Sequence, residues 1–302
     1  MKLINPQFVT EAQLFASNVP EDDAPVWVAG TNYAIGDQVI YEHRIYEALA
    51  VITGADNLID PATGALQDPP IWLDLGATNR FRMFDGIVDS GTSQTGTIEV
   101  TLRMGELANG VAFFNLLGST LNVQVDDPVD GIVYDRDFLL QDNSAITSWY
   151  AYFFEPIVQR PDVVLTDLPQ YRDADILVTV DAGAATARVG EMVVGRVRQL
   201  GVTNYGTSVS IQDYSRKERD QFGNTIIVQR RFSKRADFDV TVETSQVFAV
   251  QAALAAIRTM PTVYIGDEDK PASVIYGFFR QFNIVYDTPS ISSCSIEVEG
   301  LV

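Results

Sequence analysis

The stretch Gly96–Met104 reads GTIEVTLRM, with Ile98, Val100, Leu102 and Met104 at every second position and Thr97, Glu99, Thr101 and Arg103 between them. Side chains along a strand point alternately to opposite faces, so this spacing predicts a strand with one buried and one wet face. The same period returns in STLNVQVDD, GIVYDRDFLL, DILVTVDA, TARVGEMVVG and TSVSIQDYS, each rich in β-branched residues and set off by turn residues. Evenly spaced short strands predict a β-sandwich or jelly-roll body over residues 78–220. A parallel α/β sheet would need helices between the strands, and the sequence supplies none there.

The last part, residues 221–302, reads as an α+β closing and assembly domain. NTIIVQRRFSKRADFDVTVE is read as a hairpin with polar outward faces. It precedes the one helical pattern, SQVFAVQAALAAIRTM, where Val247, Val250, Leu254 and Ile257 recur at spacings of three, four and three. Thr244 or Ser245 is placed to cap this helix, and Pro261 to end it. TVYIGDE, SVIYGFFRQFNIVYD and SSCSIEVEGLV then return to strand. No repeat period is visible.

At the other end, residues 1–25 mix polar and apolar positions and close on the acidic EDDAP, which reads as an arm. Residues 26–76 form a small unit of short strands, broken by the Pro-, Gly- and Asp-rich GADNLIDPATGALQDPP and closed by WLDLG. Trp27, Tyr33, Tyr41 and Trp72 are its candidate carbohydrate-binding residues, since a pyranose stacks its C–H face on a flat ring. A unit of this size without disulfides also needs rings for its core, which is expected to claim at least two of the four.

The chain has 302 residues, 46% of them hydrophobic, enough to bury one large core or several small ones. Forty Asp and Glu against 21 Lys and Arg give a net charge of −19, which disfavours nucleic acid and anionic membrane surfaces as partners. The lone Cys294 excludes an internal disulfide, and the lone His43, read as a turn residue, leaves no zinc-type cluster. The first 25 residues lack a signal-peptide core, and no apolar run approaches the roughly 20 residues of a membrane span. Synthesis in the cytoplasm without membrane insertion is the expectation.

No nucleophile with a neighbouring base is apparent, so the chain is read as a non-enzyme without cofactor or metal. Asp126, Asp127 and Asp130 in VDDPVDG supply oxygens but not the spacing of a known calcium loop, and read as a turn. The most uneven feature is the run SRKERDQFGNTIIVQRRFSKR, which holds seven of the 21 cations: Arg216, Lys217, Arg219, Arg230, Arg231, Lys234 and Arg235. In so acidic a chain this predicts an interface with an acidic partner, such as a second copy. The rival reading is a solvated hairpin whose cations guard its edge.

Two resemblances extend this reading. WVAGTNYAIGDQVIYEHRIYEA with WLDLG is similar to the small chitin-binding modules of bacterial chitinases: Trp27, Tyr33, Gly36, Asp37, Val39, Tyr41, Tyr46, Ala48 and Trp72 match. Where that family carries a further aromatic run, this chain has Val51 and Ile52. The segments GATNRFRMFDG, TSVSIQDYSRKERDQFGN, RRFSKR and VIYGFFRQFNIVYDTPSISSCSIEVEGL resemble proteins of the tail tip and baseplate of tailed phages. That resemblance runs from Ala77 to the C-terminus and is most distinctive over Tyr214–Asn224. It implies a structural virion protein, a distal-tail or upper-baseplate subunit in a homo-oligomeric ring. Its implied partners are the tail tube and other baseplate proteins, with a weak host-glycan role for the front module. The alternative is a receptor-binding adhesin whose β-sandwich reads the glycan. A tail-associated glycan hydrolase is the third class.

Overall fold

A computed structural model describes residues 1–142, 148–154, 158–219, 221–268 and 270–301. The chain is mainly β, with a small N-terminal β-module, a sandwich body and one longer helix near the C-terminus. The alternation of Gly96–Met104 is realised in full: Ile98, Val100, Leu102 and Met104 are buried, while Glu99 and Arg103 are exposed. This segment belongs to the strand Thr92–Arg103 of a five-stranded antiparallel sheet. Its order is Leu14–Ser17, Thr92–Arg103, Asp175–Val189, Thr120–Asp127 and Gly131–Leu139.

The inner face of that sheet meets part of a ten-stranded sheet. Val100, Leu121, Val123, Val178 and Val180 pack with Val111, Phe113, Met192 and Val194 in one continuous core. In the larger sheet the strand Gly110–Phe114 and the first five residues of Glu191–Gln199 are covered on both faces, so Ala112, Phe114 and Val193 fill a second cluster on the far side. Doubly covered strands lose the polar alternation, which is why VAFF and MVVG read as continuous apolar runs.

The order of the larger sheet corrects two boundaries drawn from sequence. The path runs Val163–Leu165, Gly110–Phe114, Glu191–Gln199, Lys2–Gln7, Thr262–Ile265, Val274–Tyr286, Ile291–Gly300, Phe232–Glu243 and Val202–Thr203, with Ser208–Asp213 also paired to Phe232–Glu243. The start of the expected arm at 1–25 is therefore an inner strand, antiparallel to Glu191–Gln199 on one side and to Thr262–Ile265 on the other. Leu3 and Ile4 are fully buried on its two faces, in different clusters. The division at 220 falls inside one hydrogen-bonded sheet. Neither was legible because strand neighbours far apart in sequence leave no local signal. Gly195 faces Pro6 in this pairing, and a Cβ there would lie 2.0 Å from the Asn5 carbonyl oxygen, so only glycine fits.

The helix Val247–Ala256 covers the other end of the larger sheet. Val247, Val250, Leu254 and Ile257 are all buried, against Phe238, Val240, Cys294, Ile296 and Tyr264. Its cap differs from expectation. No side chain caps it, and the Thr244 hydroxyl instead donates to the Thr288 carbonyl at 3.2 Å and meets Ser292 Oγ at 2.9 Å. A short 3-10 turn, Thr244–Gln246, leads into the helix and takes up the chain there.

The hairpin expected within Asn224–Glu243 also forms otherwise. Thr225–Val228 folds back on Arg216–Arg219, and the start of Phe232–Glu243 pairs with Ser208–Asp213. Together these two ladders make one long two-stranded arm running out from the sheet edge.

Candidate functional site

In the front module the strands Gln38–Tyr41, Arg44–Ala48 and Trp72–Ala77 form a three-stranded antiparallel sheet. Its own core is Val39, Tyr46, Ala48, Ile52 and Trp72. Trp72 is only 1% exposed, so its assignment as a sugar contact is corrected: the ring is the centre of the core. Gly64 sits against it with no room for a Cβ, which would meet Trp72 Cδ1 at 2.5 Å.

Trp27, Tyr33 and Tyr41 pack around this core half-buried. Trp27 lies edge-on to Tyr41 at 5.4 Å, and Tyr33 edge-on to Trp72 at 5.3 Å. The Tyr33 hydroxyl is engaged at home: it accepts from the Val28 amide at 2.9 Å and donates to the Val28 carbonyl at 3.2 Å. It fastens the turn that carries Trp27. The Trp27 indole nitrogen points inward and is buried. The module's exposed large side chains are aliphatic, Val51 among them, so its surface offers edges of half-buried rings rather than an open aromatic platform. The nearest concavity is a groove lined by Pro25, Asn32, Tyr33, Asp37 and Gln38. It combines one ring with several hydrogen-bonding groups.

The module is joined to the body at His43. Glu42 and His43 both have positive φ, 48° and 61°, at the turn between the first two module strands. Such a turn matches the twist of a two-residue hairpin and is usually built from Asn or Gly. Here the strained turn is held from outside. His43 Nδ1 lies 2.9 Å from Glu21 Oε1, its ring stacks on Phe81 at 4.0 Å, and its carbonyl accepts from the Thr78 amide at 2.9 Å. Thr78 Oγ1 donates to the same Glu21 carboxylate at 2.8 Å.

The basic run lies on the long arm and at its root. Lys234 pairs with the largely buried Asp162, Arg235 with Glu297, and Arg231 with Asp89. Lys217 reaches Asp213 at 3.1 Å, and Arg216 pairs with Glu218 on the same strand. Five of the seven cations are thus met by carboxylates of this chain. Arg219 and Arg230 have no ion pair among the described residues. The seven cations read as one patch for a partner thus divide into five that meet carboxylates brought in by the fold and two that meet none among the described residues. Sequence reasoning missed the apolar share of the arm: Ile211, Phe222, Ile226, Ile227, Val228 and Phe232 are all exposed.

At the arm's root lies a largely apolar groove of about 310 Å3, lined by Val88, Phe114, Pro161, Phe232, Val274 and Leu301, with the Arg231–Asp89 and Lys234–Asp162 pairs also among its walls. Tyr276 forms part of its floor and stacks on Phe114. Behind it sits Glu191, a buried carboxyl. Burial pushes its pKa up to about 9, with the charge of Asp85 adding to the rise, so the group is neutral at pH 7. It accepts from the Gly86 amide at 3.0 Å, and the Tyr276 hydroxyl lies 3.5 Å away.

The aspartates of VDDPVDG are occupied by their turn. Asp127 Oδ1 accepts from the amides of Val129 and Asp130 at 2.9 and 3.0 Å, and Asp130 accepts from the Tyr171 hydroxyl at 3.1 Å. Comparison of the chain with models of known protein families and with curated proteins gives no match.

Proposed function

We propose that this protein is a structural assembly subunit, in the setting that its resemblance to tailed-phage proteins implies: the tail tip or upper baseplate, next to the tail tube and other copies of itself. The observation that carries this reading is the arm formed by Ser208–Asp213, Arg216–Arg219, Thr225–Val228 and the start of Phe232–Glu243. It holds exposed Ile211, Phe222, Ile226, Ile227 and Val228 beside Arg219 and Arg230, which have no ion pair among the described residues. A two-stranded ribbon with exposed apolar side chains is unstable alone and prone to pair with another chain, so a subunit that carries one is supported by a neighbour covering it. A head-to-tail contact of this kind closes into a ring when its rotation closes.

Arg219 and Arg230 on the arm complement the acidic remainder of a neighbouring copy, which fixes orientation as well as attraction. The front module, held at Glu21 and His43, adds a weak glycan contact through Trp27, Tyr33 and Tyr41, and a ring would multiply it by avidity. The adhesin reading needs a carbohydrate site on the sandwich itself, and no specific feature among its described residues favours it. Charge reversal at Arg219 and Arg230 tests the proposal: assembly into particles is expected to fail while the isolated subunit still folds. Normal incorporation of the double variant would overturn it.

A further inference from the structure

Each copy of the chain carries two uncovered apolar surfaces, one on the outer part of the long arm and one at its root. The first is the ladder of Arg216–Arg219 on Thr225–Val228. Residues directly opposite one another in an antiparallel pair point to the same face. Val228 lies opposite Arg216 and Ile226 opposite Glu218, so these four share one face, and Ile227 takes the other with Lys217. Ile226 is 51% exposed and Val228 48%. Arg216 and Glu218, the charges beside them, are paired with each other.

The second surface is the groove of about 310 Å3, whose apolar lining includes Val88, Phe114, Pro161, Val274 and Leu301. An apolar cavity of about 150 Å3 accepts one benzene molecule, so this groove has room for about two aliphatic side chains. The cations in its walls are answered, Arg231 by Asp89 and Lys234 by Asp162. A charged ligand would find its counter-charges here already engaged.

The two surfaces match. A face with two aliphatic side chains, flanked by an ion pair that is already neutral, fills the groove and leaves both wall pairs whole. The Ile227 face does not: Arg219 lies on it, two residues along from Lys217, and has no ion pair among the described residues. Ile226 and Val228 do not line the groove of their own chain, so the occupant is a second copy. Each copy supplies one such face and one groove, and the two share no residue, so a copy can give and receive at once. Charge supports the same partner, since the cation-rich arm approaches an otherwise acidic chain.

Resting on the assembly reading above, we infer that the face of Ile226 and Val228 on one copy's arm docks in the groove at the root of the next copy's arm. Donor and acceptor are different surfaces, so the contact is head-to-tail, and a pair of copies leaves one of each surface open. Addition stops only when the ring closes.

The test is sedimentation velocity of the full-length protein and two variants, each checked by an unchanged melting curve. Ile226→Ser with Val228→Ser removes the donor face, and Leu301→Trp fills the groove. The wild type is expected to form oligomers larger than a dimer, and each variant alone to lose about tenfold or more in association, given the apolar burial removed. An equimolar mixture of the two variants is expected to form a dimer and nothing larger, because only one arm and one groove remain intact between them. A monomeric wild type, full association of either variant, or a mixture that stays monomeric overturns the inference. If oligomers survive in both variants but are lost on charge reversal at Arg219 and Arg230, the assembly reading stands and the docking site falls. Loss of particle incorporation in Leu301→Trp with self-association unchanged would likewise give the groove to a different protein.

Discussion

His43 Nδ1 and Glu21 Oε1 lie 2.9 Å apart, and this contact ties the turn of the front module to the segment that leads into it. The same carboxylate accepts from the hydroxyl of the fully buried Thr78, with Arg80 at 3.7 Å. Glu21→Ala is expected to leave that hydroxyl without its acceptor and cost about 2 kcal/mol. The module should loosen while the sandwich stays intact, read as faster limited proteolysis between residues 20 and 26 with an unchanged main melting transition.

Trp72 distinguishes a core from a sugar platform. Trp72→Ala should cost about 3–5 kcal/mol, as for other large buried aromatics, and unfold the module, visible as loss of its dispersed amide signals in NMR spectra. Tyr41→Ala, at a half-buried ring, is expected to keep the fold and lower any glycan signal on an array. The reverse order of effects would place the binding surface on the Trp72 side.

Glu191 sets a pH dependence whose sign follows from its environment. Its carboxyl titrates near 9 in the folded chain against 4.5 for an ordinary glutamate, so the folded state holds a proton that the unfolded state releases. Its contribution to stability is whole below pH 4.5 and erodes as pH rises from there to 9, by on the order of 3 kcal/mol at pH 7. Glu191→Gln keeps the shape without the charge. The variant should melt above the wild type at pH 8, with the gap closing toward pH 4.5, in scanning calorimetry across that range.

The cations of the long arm should divide by their partners. Arg235→Glu sets two carboxylates together at Glu297 and is expected to lower the melting temperature of the isolated subunit. Arg219→Glu, which breaks no ion pair among the described residues, should leave that temperature unchanged and weaken self-association, measured by sedimentation velocity.

Period two over Gly96–Met104 and spacings of three and four over Val247–Ile257 were both legible, because each reports a face turned to a core. The module's strands were legible from alternating aromatics and turn residues. The place of Lys2–Gln7 inside the larger sheet was not, since both its partners lie more than a hundred residues away in sequence. Trp72 could not be told from a surface ring by type, as tryptophan serves both roles. The cations of 216–235 looked alike in sequence, and the difference lies in Asp89, Asp162 and Glu297, which only the fold brings to them. The helix Trp149–Phe154, with Trp149, Tyr150, Phe153 and Phe154 exposed, carried a local signal, an uncharged aromatic run, which an even strand pattern on either side masked.

The proposed role is that of a structural subunit assembled beside its own copies at the tip of a phage tail. Antibody-labelled electron microscopy of intact particles, with quantitative mass spectrometry of the same particles, tests it most directly. Label at the tail tip, with the protein present in a fixed multiple copy number per particle, is the predicted result. Particles that lack the protein, or carry it in no fixed number, would contradict the account.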